Sequence, residues 1–295
     1  DIFGSRGLGD VYKRQTFSIM IMLFKYFDKI QVNNSIAITF NYFTAGILAL
    51  MSFSKDFNLT EIQDSITITY IFLALLVGLF FVVTFNLYAY GTQKIGITIS
   101  TISNKMSMII PILIGLILFK ETITFFKILG IILAIGAIII ASKEDGNSKL
   151  SKKHLIILLL LFFGQGMADG ILNWTQKNML SEQNMNLFFA ITFLAAGLIG
   201  SFFLIFQIGR SKVKFDKKSI VWGILLGIPN YLTLLYFIKS LKNELLDSFQ
   251  IFPIVNMGVI ILCTVSSILI FNEKVSPFKW VGIGIGVLAI SMILL

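Results

Sequence analysis

The sequence predicts an all-α membrane protein with ten transmembrane helices, the first of them truncated, arranged as two inverted five-helix repeats. Three observations support this prediction: the low content of charge, a succession of long apolar stretches, and a residue pattern in the second half that repeats the first. The chain has 295 residues, of which 56% are apolar and 13% are charged. Soluble domains contain about 25% charged residues, so this composition indicates a chain that lies largely in lipid.

Nine apolar stretches are long enough to cross a bilayer, which takes roughly 20 residues of helix. Lipid offers no water to hydrogen-bond the backbone, and the stretches are too long for barrel strands, so helices are predicted. A shorter apolar stretch at 16–24 brings the number of helices to ten. The nine long stretches are 35–53, 66–91, 97–119, 125–141, 155–176, 187–208, 220–238, 248–271 and 278–295.

Residues 1–15 do not follow the apolar pattern. They are polar and glycine-containing, and they end abruptly at Thr16. The run GLGDVYKRQ resembles translated adapter sequence, and it has no apolar core of the kind found in a signal peptide. We therefore expect 1–15 to be a non-native tail and 16–24 to be a truncated remnant of the first helix.

The polar segment 142–154 divides the remaining chain into a first repeat, 16–141, and a second repeat, 155–295. A motif that starts with Phe-Lys-Glu at 119–121 recurs as Phe-Asn-Glu at 271–273. In both copies a Phe-Lys pair and then a glycine follow at the same spacing, Gly130 in the first and Gly282 in the second. Because five helices per repeat is an odd number, the second copy must enter the membrane from the opposite side, which predicts an inverted repeat.

These motifs resemble the EamA-type family of the drug/metabolite transporter superfamily. The similar segments run from Tyr88 through Pro111 to Gly130 and from Tyr236 through Pro253 to Gly282, and the likeness extends over nearly the whole chain from residue 16. The resemblance implies ten helices, transport by alternating access, and a central polar cavity between the repeats. The chain departs from the family pattern in its short first helix and in unequal proline-to-glutamate spacings in the two halves.

Polar side chains inside membrane helices are costly, so their positions are informative. In the sixth predicted helix Gln165, Asp169 and Asn173 recur every four residues, which puts them on one helix face. Other predicted helices carry polar residues that could line the same cavity. We predict a substrate site from these residues, which are Asn41, Tyr42, Asn86, Tyr90, Asn104, Lys105, Gln165, Asp169, Asn173, Asn230, Tyr231, Tyr236, Gln250 and Asn256.

Two of these candidates are charged. Asp169 could bind a cationic group or carry a coupling proton, and Lys105 could bind an anionic group. The alternatives are that the two form a structural pair, or that Lys105 extends its ammonium group toward the membrane surface. For the amide and tyrosine residues, the alternative is ordinary hydrogen bonding between helices.

Other features predict packing or loop structure. Three prolines lie within predicted helices, at 111, 229 and 253, and should kink them. The glycines at 282, 284 and 286 lie in an apolar helix with no preceding strand, so close helix packing is predicted rather than a nucleotide loop. Glu121 and Glu273, which lie at helix ends near lysines, are predicted to be loop or interface residues.

The predicted function is that of a secondary transporter, or permease, for a small metabolite. One cysteine and one histidine in the chain argue against a clustered metal or cofactor site, so no cofactor is expected and an enzyme is disfavoured. A channel or a non-transporting scaffold remains an alternative. We expect an integral protein of the bacterial inner membrane, a monomer or homodimer, with a small-molecule substrate, surrounding lipid and a candidate coupling proton as its partners, and no nucleic acid.

The orientation is left open by the sequence. Most lysines and arginines lie in the odd-numbered loops, which the positive-inside rule would place in the cytoplasm, with both termini outside. The family resemblance implies the reverse, with both termini inside. Both lines of reasoning place the two termini on the same side.

Overall fold

The computed structural model describes residues 8–53, 66–118, 124–141, 151–210, 213–241 and 248–293, and within these ranges the secondary structure is helical with short turns. Its helices in chain order are α1 (Leu8–Lys29), α2 (Asn34–Phe53), α3 (Ile68–Lys94), α4 (Ile97–Met106), α5 (Ile109–Leu118), α6 (Phe125–Ala141), α7 (Lys152–Met179), α8 (Glu182–Gly209), α9 (Lys217–Leu241), α10 (Ser248–Phe271) and α11 (Pro277–Ile293).

Most helices follow the predicted apolar stretches. The bounds of α6 and α10 agree with the predicted ones, whereas α7 and α9 extend three residues further at both ends and α8 starts five residues earlier. The extensions are polar and include capping groups. At the start of α8, the Ser181 hydroxyl accepts from the Asn184 backbone N–H at 3.3 Å, and the Asn184 side-chain oxygen accepts from the Ser181 N–H at 2.8 Å. This capping box shows why the helix starts outside the apolar stretch.

The first helix is longer than predicted. It runs over Leu8–Lys29 rather than over the nine apolar residues 16–24, and it includes residues 8–15 of the expected tail. The apolar criterion excluded both polar ends of this helix, although they continue the same helical backbone. Tyr12 in the added part lies 5.2 Å from Tyr236 of α9, measured between ring centroids.

The fourth predicted helix is interrupted. We expected one helix over 97–119 with a kink at Pro111, but a turn at Ser107 and Met108 separates α4 from α5. Pro111 has no N–H to donate to the carbonyl of Ser107, which lies four residues earlier, and its ring crowds that carbonyl. The Ser107 hydroxyl in turn donates to the Asn104 carbonyl at 2.5 Å. Together these two features end the helix one turn before the proline.

The length and apolar character of the helices identify an integral membrane protein. Six segments among the described residues are long and apolar enough to cross a membrane: Asn34–Ser52, Ile68–Lys94, Ile97–Ile114, Lys152–Met179, Asn184–Gly209 and Lys217–Tyr236. Shorter apolar helices cover Phe125–Ala141, Val255–Phe271 and Pro277–Met292. Large apolar side chains such as Phe202 and Leu269 are exposed on the outside of the bundle, as expected for a surface in contact with lipid.

The two halves of the chain pack against each other reciprocally. When α4 and α5 are counted as one segment, each segment of the first half has a counterpart in the second. Helix α1 packs on α9 and α10, and its counterpart α7 packs on α3 and on α4 and α5. Likewise α2 packs on α9, and its counterpart α8 packs on α3. Three pairs of counterparts also pack directly on each other, namely α2 with α8, α4 with α10, and α6 with α11. The contacts therefore describe a two-repeat fold.

Small residues allow the closest of these contacts. A Cβ atom added at Gly282 of α11 would lie 2.5 Å from the Cβ of Ala141 and 2.9 Å from the carbonyl oxygen of Ala137, both in α6. A Cβ at Gly286 would lie 3.5 Å from the Met106 side chain of α4 and 3.9 Å from the Cβ of Ala137 in α6, whereas a Cβ at Gly284 would meet nothing within 4 Å. Close packing is thus the role of Gly282, but Gly284 lies on the opposite side of the helix.

Glu273 connects the two repeats. It follows α10, and its side-chain oxygen Oε2 accepts from the backbone N–H of Ile97, the first residue of α4, at 3.0 Å. Its other oxygen lies 3.4 Å from Lys279 Nζ, and the two side chains are only 12% and 15% exposed. The carboxylate therefore caps a helix of the other repeat, where the helix dipole favours negative charge. The equivalent Glu121 lies outside the described residues.

Candidate functional site

A chain of polar side chains connects the two repeats through α4 and α7. Asn104 Nδ2 donates to Gln165 Oε1 at 3.2 Å, and Gln165 Nε2 donates to Asp169 Oδ1 at 2.8 Å. Asn104 belongs to the first repeat, and the other two lie one helical turn apart on α7 of the second. The four-residue spacing predicted that Gln165 and Asp169 share a face, and the structure turns this face toward α4.

Lys105 lies next to this chain. Its ammonium nitrogen is 3.4 Å from the centre of the Phe17 ring of α1, a cation–π contact. Lys105 and Asp169 interact electrostatically, but the carboxylate takes its direct hydrogen bond from Gln165. The two charges are therefore near each other without a direct bond between them. A ligand with one positive and one negative group would find a complement for each.

Helix α10 contributes to the opposite side of the same region. Asn256 is 9% exposed, and its Nδ2 donates to the thioether sulfur of Met108 at 3.3 Å. Met108 lies in the turn between α4 and α5. Because a thioether is a weak acceptor, this bond uses little of the hydrogen-bonding capacity of the amide. The interrupted helix, α7 and α10 thus contribute polar or charged groups to one region, and α1 contributes the Phe17 ring.

Some buried polar atoms in this region have no partner among the described residues. One of them is Asn104 Oδ1, in a residue that is only 2% exposed, and another is Thr264 Oγ1, which lies about two turns beyond Asn256 on α10. An unpaired buried polar atom costs about 1–3 kcal/mol. Because these atoms have no hydrogen-bond partner among the described residues, a polar ligand could form its most favourable hydrogen bonds with them.

Four predicted site residues lie between α2, α3 and α9. The Tyr42 hydroxyl donates to the Phe81 carbonyl at 2.7 Å, and Tyr231 is hydrogen-bonded to Ser52. These bonds tie helices together. Asn41 is fully buried, and neither its side-chain nitrogen nor its oxygen has a partner in the described structure; the same holds for Asn230 Nδ2.

The other predicted residues lie in different places. Asn86 and Tyr90 lie on the outer side of α3, in a separate cleft of about 450 Å³ between α2, α3, α7 and α8. Asn173 follows Asp169 by four residues on α7 and is half-buried. The Tyr236 ring packs against the Tyr12 ring in a tilted arrangement, and the side chain of Gln250 lies outside the described residues.

Sequence reasoning missed two contributors to the central region. Phe17 and Met108 were counted only as apolar residues, yet one holds the Lys105 ammonium group and the other accepts from Asn256. No pattern in the sequence marks either of them, because both roles depend on which helices become neighbours. The proline at 111 was the nearest available signal for the turn that contains Met108.

Comparisons with known proteins agree with this architecture. The model of the EamA-like transporter family matches the chain twice, over residues 16–143 and 149–295, which correspond to the two halves. An uncharacterized protein of Haemophilus influenzae is 30% identical over 252 residues, which cover 84% of each chain. With both halves matched and a relative of nearly equal extent, the chain belongs to the EamA-like transporter family.

Proposed function

We propose that the protein is a secondary transporter that moves a small metabolite across the membrane by alternating access. The substrate would bind in the central region between the two repeats. The hydrogen-bonded chain from Asn104 through Gln165 to Asp169 carries this proposal, because it places costly intramembrane polar groups from both repeats in contact.

The proposal includes ten membrane spans in two inverted repeats. With α4 and α5 taken as one interrupted span, the described helices form ten segments. The shortest uninterrupted ones, α6 and α11, have 17 residues each. At 1.5 Å per residue this is roughly 26 Å, which local thinning of the bilayer can accommodate. The reciprocal contacts between the halves are those expected if a two-fold axis relates the repeats.

The interruption between α4 and α5 favours a transport site over purely structural polar contacts. Broken helices are tolerated within membranes where the freed backbone groups face protein or a cavity, and transporters use them to build substrate sites. Here the break at Ser107 and Met108 immediately follows Asn104 and Lys105. Two of the proposed ligand-binding side chains therefore lie on the last turn before it.

We assign roles to five side chains. Asp169 would bind a cationic group or carry a coupling proton, and Lys105 would bind an anionic group. Asn104, Gln165 and Asn256 would hydrogen-bond the uncharged part of the substrate. The buried amides of Asn41 and Asn230 are candidates for a continuation of the pathway between α2 and α9. Tyr42, Asn86, Tyr90, Asn173, Tyr231, Tyr236 and Gln250 remain predicted contacts.

We place the transporter in the bacterial inner membrane, as a monomer or homodimer. The charge distribution at the site favours a zwitterionic or otherwise polar metabolite over an apolar one. Proton coupling would require Asp169 to change its protonation state during the cycle.

A thermal-shift screen of the purified full-length protein tests the proposal. The screen would cover amino acids, nucleosides, sugars, phosphorylated metabolites and organic cations, because a ligand that binds the folded state raises its apparent stability. We expect a hit whose stabilisation is lost in Asp169→Asn or Lys105→Ala but kept in Asp28→Asn. Asp28 is a matched control, since it pairs with Lys94 at the surface at 3.0 Å.

Flux measurements with the identified ligand in proteoliposomes then separate a carrier from a channel. We expect saturable uptake that Asp169→Asn reduces at least tenfold. Flux that rises linearly with concentration, or uptake in Asp169→Asn equal to that of the wild type at every pH, would contradict the proposed mechanism.

A further inference from the structure

A cavity lies on the outside of the bundle, away from the central polar chain. It is the cleft of about 450 Å³ bounded by α2, α3, α7 and α8. Val83 of α3 and Phe203 of α8 line it and are 44% and 46% exposed, so the cleft opens sideways to the surroundings of the bundle. In a membrane these surroundings are lipid.

The cleft is cationic at one end only. Lys153, Tyr90, Gln207 and Ser35 lie near this end, each within about a turn of a helix terminus. The Lys153 ammonium nitrogen is 5.5 Å from the centre of the Tyr90 ring. Gln207 accepts from the Ser35 hydroxyl at 3.0 Å through its side-chain oxygen, which leaves its amide N–H groups as donors.

The other end of the cleft is mostly apolar, and its polar residues Thr39 and Asn86 donate to carbonyls of their own helices. Val82 lies eight residues before Tyr90 on α3, which is roughly 12 Å along the helix. Ile38, Ile157 and Phe203 line this deeper part. The cleft changes from charged to apolar along its length, as a bilayer leaflet changes from its headgroups to its hydrocarbon.

The floor of the cleft is closed toward the core. A Cβ atom at Gly200 of α8 would lie 2.9 Å from the Thr39 hydroxyl oxygen of α2, so the two helices touch there. This close approach separates the cleft from the interior of the bundle. An occupant would therefore enter from the lipid side.

The membrane face at the mouth of the cleft is basic. Exposed cations on this face include Lys29, Lys152, Arg210, Lys214 and Lys217. The described carboxylates nearby are already engaged: Asp28 pairs with Lys94, and Asp216 accepts from the backbone and hydroxyl of Ser219. In the part of the chain that the structure describes, Lys153 is thus a cation without a paired carboxylate at a half-apolar cleft.

We propose that this cleft binds an anionic phospholipid from the adjacent leaflet. The lipid phosphate would lie against Lys153, Tyr90 and Gln207, and one acyl chain would follow Val83 and Phe203. Basic pockets between membrane helices recognise anionic headgroups in this way. The inference does not depend on transport or on the central polar chain, and of the residues that would contact the lipid only Tyr90 is also a predicted substrate contact.

Lipid titrations of the purified full-length protein test the inference. Phosphatidylglycerol and phosphatidylcholine with identical acyl chains would be compared by thermal shift and by native mass spectrometry, with inorganic phosphate as the probe for the anion alone. We expect phosphatidylglycerol to bind and stabilise more strongly than phosphatidylcholine, and inorganic phosphate to have no effect.

Two pairs of variants locate the binding. A lysine near an anionic surface contributes about 1 kcal/mol, so Lys153→Gln should weaken phosphatidylglycerol binding about fivefold. The control Lys214→Gln, on the same basic face but outside the cleft, should not. Val83→Trp should fill the apolar part and reduce binding, whereas Leu79→Trp should leave it unchanged, because Leu79 is similarly exposed (41%) on α3 but is not part of the lining.

Three outcomes would overturn the inference. One is equal stabilisation by the two phospholipids, and another is an equal loss in Lys153→Gln and Lys214→Gln. The third is full stabilisation by inorganic phosphate, which would show an anion site without a lipid chain. Should Lys153→Gln fail to purify as a folded protein, the comparison of Val83→Trp with Leu79→Trp decides, and equal phosphatidylglycerol binding by these two variants would overturn the inference.

Discussion

Gln165 shows most clearly how one residue holds the central site together. Its side chain accepts from Asn104 and donates to Asp169, so it connects the two repeats and orients the carboxylate. The position of Asp169, and with it any role in binding or proton transfer, depends on this one amide.

The substitution Gln165→Leu should therefore destabilise the protein by about 1–2 kcal/mol, since interhelical hydrogen bonds in membranes contribute up to roughly that amount. The measurement is the apparent melting temperature in detergent. As a control, Asn178→Leu changes an exposed amide near the end of the same helix, and this amide donates to the Trp174 carbonyl of its own helix. Equal melting temperatures for Gln165→Leu and the wild type would mean that the amide chain contributes no stability.

The sequence was more informative about helix faces than about neighbours. The four-residue spacing of Gln165 and Asp169 placed them on one face, because the period of a helix alone decides this. Asn86 and Tyr90 also share a face of α3, yet this face lines the outer cleft and not the central region. Which helix lies opposite a polar face depends on tertiary packing, and a single sequence does not contain that information in its periodicity.

At the scale of helices, the contrast among prolines has a physical explanation. Kinks were predicted at residues 111, 229 and 253. Helices α9 and α10 continue through Pro229 and Pro253, whereas the segment before Pro111 is divided into two helices. Before Pro111 the Ser107 hydroxyl donates to the Asn104 carbonyl, and such a side-chain bond competes with the backbone hydrogen bonds of the helix. The proline in the sequence predicted where the helix is weakened. The proline and the serine hydrogen bond together explain why the helix is interrupted there.

The capping of α4 by Glu273 leads to a prediction about stability. Glu273→Ala removes the acceptor for the Ile97 N–H and leaves Lys279, which is only 15% exposed, without its carboxylate. We expect a loss of about 1–3 kcal/mol in the free energy of unfolding, because a helix cap and a poorly solvated charge are both affected.

Thermal denaturation of Glu273→Ala and Glu273→Gln would separate these contributions. The glutamine can still accept from the Ile97 N–H but carries no charge, so its stability should fall between that of the wild type and that of the alanine variant. If both variants have the same melting temperature as the wild type, the contact between Glu273 and α4 does not contribute to stability.

For the whole molecule, the reciprocal packing of the halves predicts how the loops divide between the two sides of the membrane. Ten spans put both termini on one side, and they put all loops that follow odd-numbered spans on the other. Lys29, Lys153 and Lys214 then share one face, while Ile66 and Asn178 lie on the opposite face. All five residues are exposed, so each can carry a cysteine label without disturbing the core.

Labelling with a membrane-impermeant thiol reagent on intact cells tests this division. The variants are made in a background with Cys263→Ala, which removes the buried native thiol. Cysteines at the three lysine positions should either all be labelled on intact cells or all remain unlabelled. Ile66→Cys and Asn178→Cys should show the opposite result. The positive-inside rule places the lysine face in the cytoplasm, where the reagent reaches it only after the cells are opened. Labelling of the lysine positions on intact cells would give the reverse orientation, the one that the family resemblance implies. Different reactivity among Lys29→Cys, Lys153→Cys and Lys214→Cys would contradict the ten-span arrangement itself, because no inverted pair of five-helix repeats can place these three loops on different sides.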